Sequence, residues 1–165
     1  MSAGWEQYIT GMLVNKQLPD GNWLQNICSE GALLDMNGVV QACTPGFALT
    51  SYKYNVKIDD LNSKDVDVDE VKVFLALAID GNSKASEAGI RLNKTKYMLA
   101  KYDPDKKLAY LSTAGGGACV MASKSVVVFG AYKTSAKMSD GQPQQAGKCN
   151  EMVENLAKFL ISAGY

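Results

Sequence analysis

Five short apolar runs crowd the stretch from Ile90 to Tyr132, and they constrain this chain more than any other feature. They are Ile90 to Leu92, Lys96 to Tyr102, Lys107 to Leu111, Ala118 to Ala122 and Val126 to Tyr132. Only turn chemistry separates them: Asn93-Lys94, Asp103-Pro104-Asp105, Gly115-Gly116-Gly117 and Ser123-Lys124. A parallel strand pair needs a crossover of about a dozen residues or more. None of these gaps can hold one, so the strands are expected to pair antiparallel, in a sheet around which the rest must fold.

The flanking segments supply helices. Trp5, Tyr8, Ile9, Met12 and Leu13 recur at helical spacing, with Ser2 placed to cap them. Pro19, Asp20 and Gly21 break the chain, and a short second helix is expected over Asn22 to Asn26. Gly31 to Met36 and Val39 to Cys43 flank Asn37-Gly38, the strongest short-range hairpin signal. From Thr44 to Asp65 the pattern loosens into an irregular excursion, with at most a short strand near Tyr52 to Ile58. Asp67 or Asp69 can start a helix over Glu70 to Ile79 that Gly81-Asn82 ends. Apolar residues nearly surround that helix, which predicts packing against a sheet. A polar loop from Thr134 to Gly147 leads to a last helix from about Lys148 to Ala163, striped by Met152, Val153, Leu156, Phe159 and Leu160. This order predicts an α+β fold, an antiparallel sheet with the two terminal helices free to pack on one face.

The 165 residues suit a single domain over 1–165, without internal repeats or low-complexity tracts. The longest apolar run, Val73 to Ile79, is far short of the ~20 residues that span a bilayer. Seventeen basic and seventeen acidic residues cancel, which argues against a chain-wide grip on nucleic acid or membrane. There is no histidine, which removes Ser-His and Cys-His nucleophile pairs, histidine-ligated zinc and an imidazole base. Cys28, Cys43, Cys119 and Cys149 form no C-x-x-C pair and read as buried, reduced, structural thiols of an intracellular protein.

Three candidate motifs fall away. Gly141 to Cys149 has five residues between its glycines where a phosphate loop has four, and Cys149 where Ser or Thr would reach magnesium. The glycines at 115–117 read as a turn, or a close approach of backbones, before an anion cradle. The carboxylates of Asp59, Asp60, Asp65, Asp67, Asp69 and Glu70 lack the central glycine and terminal Glu of a calcium loop. The valines interleaved among Asp65, Asp67 and Asp69 suit a strand or a helix start with a solvated face. No catalytic residue, metal site or cofactor is nominated, and the chain reads as a non-enzyme.

The aromatic residues at the two ends say more. Trp5 and Tyr8 lie three apart near the start, Asn155 and Phe159 four apart on the last helix, and Tyr165 ends the sequence. Rings in parallel grooves suit a polyproline II ligand, which offers apolar ring faces and free carbonyls. The same spacing suits the core faces of two packed helices, and periodicity alone leaves both readings open.

Ala3-Gly4-Trp5-Glu6-Gln7-Tyr8-Ile9 resembles the N-terminal W-x-x-Y helix of the profilin family. Gly89 to Met98, GIRLNKTKYM, is similar to that family's mid-chain hairpin. Val126 to Tyr132, then Lys148-Cys149-Asn150-Glu151-Met152 and Gly164-Tyr165, resemble its last strand and terminal helix. The resemblance implies a profilin-like fold with the terminal helices on one sheet face and shorter helices on the other. It implies a cytoplasmic, cytoskeletal adaptor, a monomer that binds monomeric actin and regulates its nucleotide exchange and polymerisation. Proline-rich proteins such as formin-type nucleators, and phosphoinositide lipids, are the further partners it implies.

Carried over by position, Trp5, Tyr8, Asn155, Phe159 and Tyr165 are the implied polyproline contacts. Lys96, Met98, Lys101, Lys148, Asn150 and Glu151 are the implied actin contacts, with lysines suited to an acidic patch. The chain departs from the pattern in three ways. Gln41 stands where many relatives carry another aromatic, and basic residues are missing around Ala109 to Leu111. Extra length falls in 44–69 and 134–147. The competing reading is a sensor-like or trafficking protein-binding module on a similar scaffold without actin activity, which buried Trp5 and Tyr8 rings would favour.

Overall fold

The structure, a computed structural model, describes residues 4–165. Helix α1 (Glu6–Met12) follows Trp5, whose side chain makes no capping bond; the expected Ser2 cap lies outside the described residues. Strands β1 (Lys16–Gln17) and β2 (Trp23–Leu24) then pair antiparallel. The short helix expected over Asn22 to Asn26 is therefore replaced by a strand and loop. Asp20 accepts hydrogen bonds from the backbone and side-chain nitrogens of Asn22 at 2.9 and 3.1 Å. That closes a turn which lays Trp23 opposite Gln17.

Strands β3 (Glu30–Asp35) and β4 (Val40–Cys43) form the hairpin expected at Asn37-Gly38. Gly38 has φ 80°, and a Cβ there would lie 2.4 Å from Val71, so only glycine fits. The next segment corrects the sequence reading. The short strand near Tyr52 to Ile58 is present, but the excursion is not irregular: β5 (Ser51–Lys57) and β6 (Ser63–Asp69) make a seven-residue antiparallel hairpin. Its tip is closed by Asp59, which accepts from the backbone nitrogens of Leu61 and Asn62.

Helix α2 (Glu70–Asp80) starts as expected on Asp69, whose carboxylate accepts from the Lys72 backbone nitrogen, and ends at Gly81 in the left-handed region. Then come β7 (Ile90–Leu92), β8 (Thr95–Asp103), β9 (Leu108–Thr113), β10 (Gly116–Ala122) and β11 (Val126–Lys133), and last α3 (Ala146–Ser162). The main sheet has seven strands in the order β4-β3-β11-β10-β9-β8-β7, with every neighbouring pair antiparallel. Of the triple glycine, Gly115 sits in the β9–β10 turn, while Gly116 and Gly117 belong to β10. A Cβ on them would stand 2.3 Å from the Tyr132 carbonyl and 2.5 Å from that of Leu111. Close backbone approach is their role.

The pleat divides the interior into two cores. Along β11, Val128 faces Ile9, Leu13, Val153, Leu156 and Leu160, under α1 and α3. Its neighbours Val127 and Phe129 face Val73, Phe74 and Leu77, under α2. The terminal helices thus share one face and α2 covers the other. Cys28, Cys119 and Cys149 are buried free thiols, as expected, whereas Cys43 is only half-buried. Cys28 donates to the Cys149 sulfur at 3.1 Å; that bond, then burial, holds the Cys28 thiol well above its ordinary pKa.

Candidate functional site

Four rings form one strip where α1 meets the end of α3. Ile9 and Leu13 turn into the core, which leaves Trp5 and Tyr8 on the flank of the short helix, half-buried. Their ring centroids stand 5.6 Å apart. On α3 the buried stripe is Cys149, Met152, Val153, Leu156, Ala157 and Leu160, so Phe159 lies at its border and is 42% exposed. It reaches within 6.0 Å of Tyr8. Past the helix end, Gly164 adopts φ 94° and turns the chain back. The Tyr165 backbone nitrogen donates to the Leu160 carbonyl, and the Tyr165 carbonyl accepts from the Lys124 nitrogen. So anchored, its ring meets Trp5 edge-on at 5.2 Å.

The strip therefore runs Tyr165, Trp5, Tyr8, Phe159, with tilted or edge contacts throughout. Each ring keeps part of its surface in solvent. Asn155 is exposed one turn before Phe159, a polar group beside the rings. The departure at Gln41 adds nothing to the strip, because its amide turns back to Asp35 and the Val39 carbonyl of its own hairpin.

The second set of residues from the sequence is only partly brought together. Tyr97, Leu99 and Tyr102 of β8 pack into the α2 core, so Lys96, Met98 and Lys101 face the other way. A bulge between Leu99 and Lys101 preserves this, pairing Met98 with Ser112 and Lys101 with Tyr110. All three side chains are exposed, Met98 by 65%. On α3, helical spacing of about 100° per residue puts Asn150 and Glu154 on one shoulder of the buried stripe. Lys148 stands on the other shoulder with Asn155 and Phe159, and Glu151 rides on top. The Tyr110 hydroxyl donates to Glu154 at 2.9 Å and so joins the Asn150 shoulder to the β8 lysines. Burial, then that bond, pushes the Tyr110 phenol up to about 12.

Tyr110 and Glu154 were missed by reading the sequence for basic residues. The signal for Tyr110 was present: Ala109 and Leu111 alternate into the α2 core, so Tyr110 alone of the three faces this surface. Glu154 could be found only through the fold, since nothing local relates it to β9.

The chain's relatives fit this geometry. The sequence model of the family Profilin matches residues 3–165. A profilin of Tetrahymena pyriformis is 32% identical over 165 residues, covering 99% of each chain. Among solved structures, profilin II of Acanthamoeba castellanii superposes with a TM-score of 0.66 at 18% identity, over 98% of this chain and 100% of that one. Mouse profilin IIa, in complex with a double repeat from the FH1 domain of mDia1, superposes with a TM-score of 0.57 at 18% identity, over 99% and 100%. A family match across nearly the whole chain, a relative above 30% identity over its full length, and one shared fold lead to a single assignment. The chain belongs to the profilin family.

Proposed function

We propose that this protein is a cytoskeletal adaptor that binds monomeric actin and holds proline-rich ligands on the Tyr165–Trp5–Tyr8–Phe159 strip. The observation that carries the reading is the strip itself. Its rings, drawn from both chain ends, are partly solvent-facing yet held by packing and by the anchored C-terminus. A polyproline II segment is already extended and loses little entropy on docking, so a preformed row of rings suits it. Mouse profilin IIa is solved in complex with a double repeat from the FH1 domain of mDia1. The second surface, with Lys96, Met98, Lys101, Asn150 and Glu154 around Tyr110, lies beyond α3 from the rings. It suits actin, with exposed lysines to steer an acidic partner and an exposed methionine to supply apolar contact. Lys148 and Glu151 stand aside from that group and contribute less. Effects on actin's nucleotide exchange, binding of phosphoinositide lipids and a cytoplasmic location belong to the same proposal.

Titration of Trp5 fluorescence with a proline decamer, in a Trp23→Phe background, tests the first half. Saturable change is expected, and calorimetric titration with the same peptide, which needs no tryptophan, is expected to show Trp5→Ala weakening affinity at least about tenfold, the loss of a central aromatic anchor. Full affinity in Trp5→Ala would place the site elsewhere. Suppression of pyrene-actin nucleation tests the second half. Lys96→Glu with Lys101→Glu is expected to abolish it while leaving the proline titration intact. A correctly folded protein that forms no actin complex at micromolar concentration returns the alternative, a protein-binding module without actin activity. The half-exposed state of Trp5 and Tyr8 argues against that alternative.

A further inference from the structure

A cavity of about 230 Å³ opens on the α2 face of the sheet, away from both surfaces discussed above. It lies at the sheet end that α2 leaves uncovered, where β3 begins, β8 begins, and β11 ends. Register brings its walls together: Glu30 pairs with Ala131, and Gly116 pairs with both Thr113 and Lys133. Alternation on β3 sets Glu30 on the same side as Ala32 and Leu34, facing the α2 core.

Its polar groups are badly matched to one another. Glu30 Oε2 is buried and, among the described residues, has no hydrogen-bond partner. Its other oxygen accepts one long bond, 3.3 Å, from the Asn93 amide. A carboxylate can accept about four hydrogen bonds, and a buried acceptor left unmet destabilises the fold, a charged one most of all. Tyr97, 4% exposed, also lines the cavity. Burial, and after it the charge of Glu30, pushes that phenol above its ordinary value, so its oxygen stays neutral. Thr95 adds a hydroxyl, and the Thr113 hydroxyl spends its proton on the Lys96 carbonyl, leaving lone pairs only. The interior is thus a set of oxygens around a carboxylate that, among the described residues, only the Asn93 amide meets. Lys133, exposed at the rim, is the one cation lining it.

We infer that this cavity is a binding site for a small primary ammonium ligand, whose N–H groups hydrogen-bond Glu30 and the neighbouring Tyr97 and Thr95 oxygens. Three donors on one compact cation match oxygens on several sides, as a hydroxyl with a single donor does not. The volume is below the ~300 Å³ of a drug-sized pocket, which limits the occupant to a short amine. A potassium ion could meet the same oxygens, and the Lys133 side chain could fold inward. Both are outcomes of the test.

The test is calorimetric or NMR titration of the whole protein with n-butylammonium chloride at constant ionic strength. Tetramethylammonium, which has no N–H, and potassium chloride serve as comparison probes. Saturable binding of butylammonium alone is expected, weakened about tenfold or more by Glu30→Gln. Tyr97→Phe, which keeps the ring, is expected to weaken it less. Lys133→Ala should leave binding unchanged or strengthen it, and the proline titration of Trp5 should be unaffected throughout. Equal binding of tetramethylammonium or potassium, full retention in Glu30→Gln, or no saturable signal from the folded protein would each overturn the proposal. Binding that appears only in Lys133→Ala would also overturn it, by showing that the protein's own lysine fills the site.

Discussion

Segments 44–69 and 134–147 are both polar, and each is pinned by one side chain of the kind that is rarely buried. Glu70 is 0% exposed and Gln144 is 1% exposed. Around Glu70 everything donates: the Thr50 nitrogen at 3.0 Å, the Tyr52 hydroxyl at 2.8 Å and the Lys94 nitrogen at 2.8 Å. Around Gln144 the partners are mixed. Its oxygen accepts from the Ser29 hydroxyl and the Lys133 nitrogen, and its nitrogen donates to the Asn26 carbonyl. The hairpin base and the β7–β8 turn leave only donors facing inward, which an acceptor-only carboxylate satisfies. The loop crosses one carbonyl and one N–H, which only an amide satisfies. The choice of Glu in one place and Gln in the other follows from the backbone each must meet.

Breaking the first anchor should have the largest effect. Glu70→Ala leaves three inward donors unmet and is expected to cost about 3–5 kcal/mol in urea denaturation. Glu70→Gln keeps one acceptor oxygen and should fall between. Gln144→Ala is expected to cost about 2–3 kcal/mol by the same measurement, since only neutral bonds are lost. The sharper probe is Gln144→Glu, which sets a carboxylate against the Asn26 carbonyl and should destabilise at least as much as alanine. If Glu70→Gln and Gln144→Glu both leave stability unchanged, complementarity is not what holds these segments.

The two anchors also mark where the sequence could be read and where it could not. The antiparallel sheet, the Asn37-Gly38 hairpin and α2 with its Asp69 and Gly81 ends were legible, because each rests on neighbours in sequence. The β5–β6 hairpin is only half legible although its signal is local. Asp65-Val66-Asp67-Val68-Asp69 alternates with period two and suits a strand as well as a helix start, and the Pro, Gly, Ser, Asn and Asp punctuation from Thr44 to Asp65 leaves the pairing of the two strands unmarked. Glu70 looked like one more surface acid because its three partners lie 18–24 residues away. Of the candidate sites, the ring strip could be listed from spacing and resemblance. The grouping of Asn150 rather than Lys148 with the β8 lysines needed the azimuth of α3 against the sheet.

A smaller effect distinguishes the segments by pH. Burial, and then the bond to Glu70, pushes the Tyr52 phenol from about 10 up to about 12. Below pH 10 the phenol is protonated in both folded and unfolded chains, and its contribution is fully present. As pH rises through 12 the unfolded chain deprotonates first, and that contribution is lost. Gln144 does not titrate, so only the hairpin anchor carries this dependence. Tyr110 titrates in the same window, so the readout is a difference. Tyr52→Phe should cost about 1–1.5 kcal/mol at neutral pH, and the gap to the parent should close between pH 10 and 12. A gap constant across that window would remove Tyr52 from the anchor.

The least costly break lies further along the hairpin, where the Arg91 guanidinium stacks 3.7 Å from the centre of the Tyr54 ring. Lys64 and Glu87 add an ion pair, but both side chains are about half exposed or more, and solvent screens them. The stack is therefore the main contact holding the distal hairpin to β7, and at a partly exposed site it is worth about 0.5–1 kcal/mol. Arg91→Ala should thus barely move global denaturation, yet it should speed amide exchange along Ser51–Lys57 and Ser63–Asp69 by about two- to fivefold. Exchange at the Glu70-anchored base should change less than at the tip, and exchange in 134–147 should not change at all. A uniform acceleration would mean that Arg91 acts through the sheet edge it belongs to, and that the hairpin, like the loop, hangs from its one buried anchor.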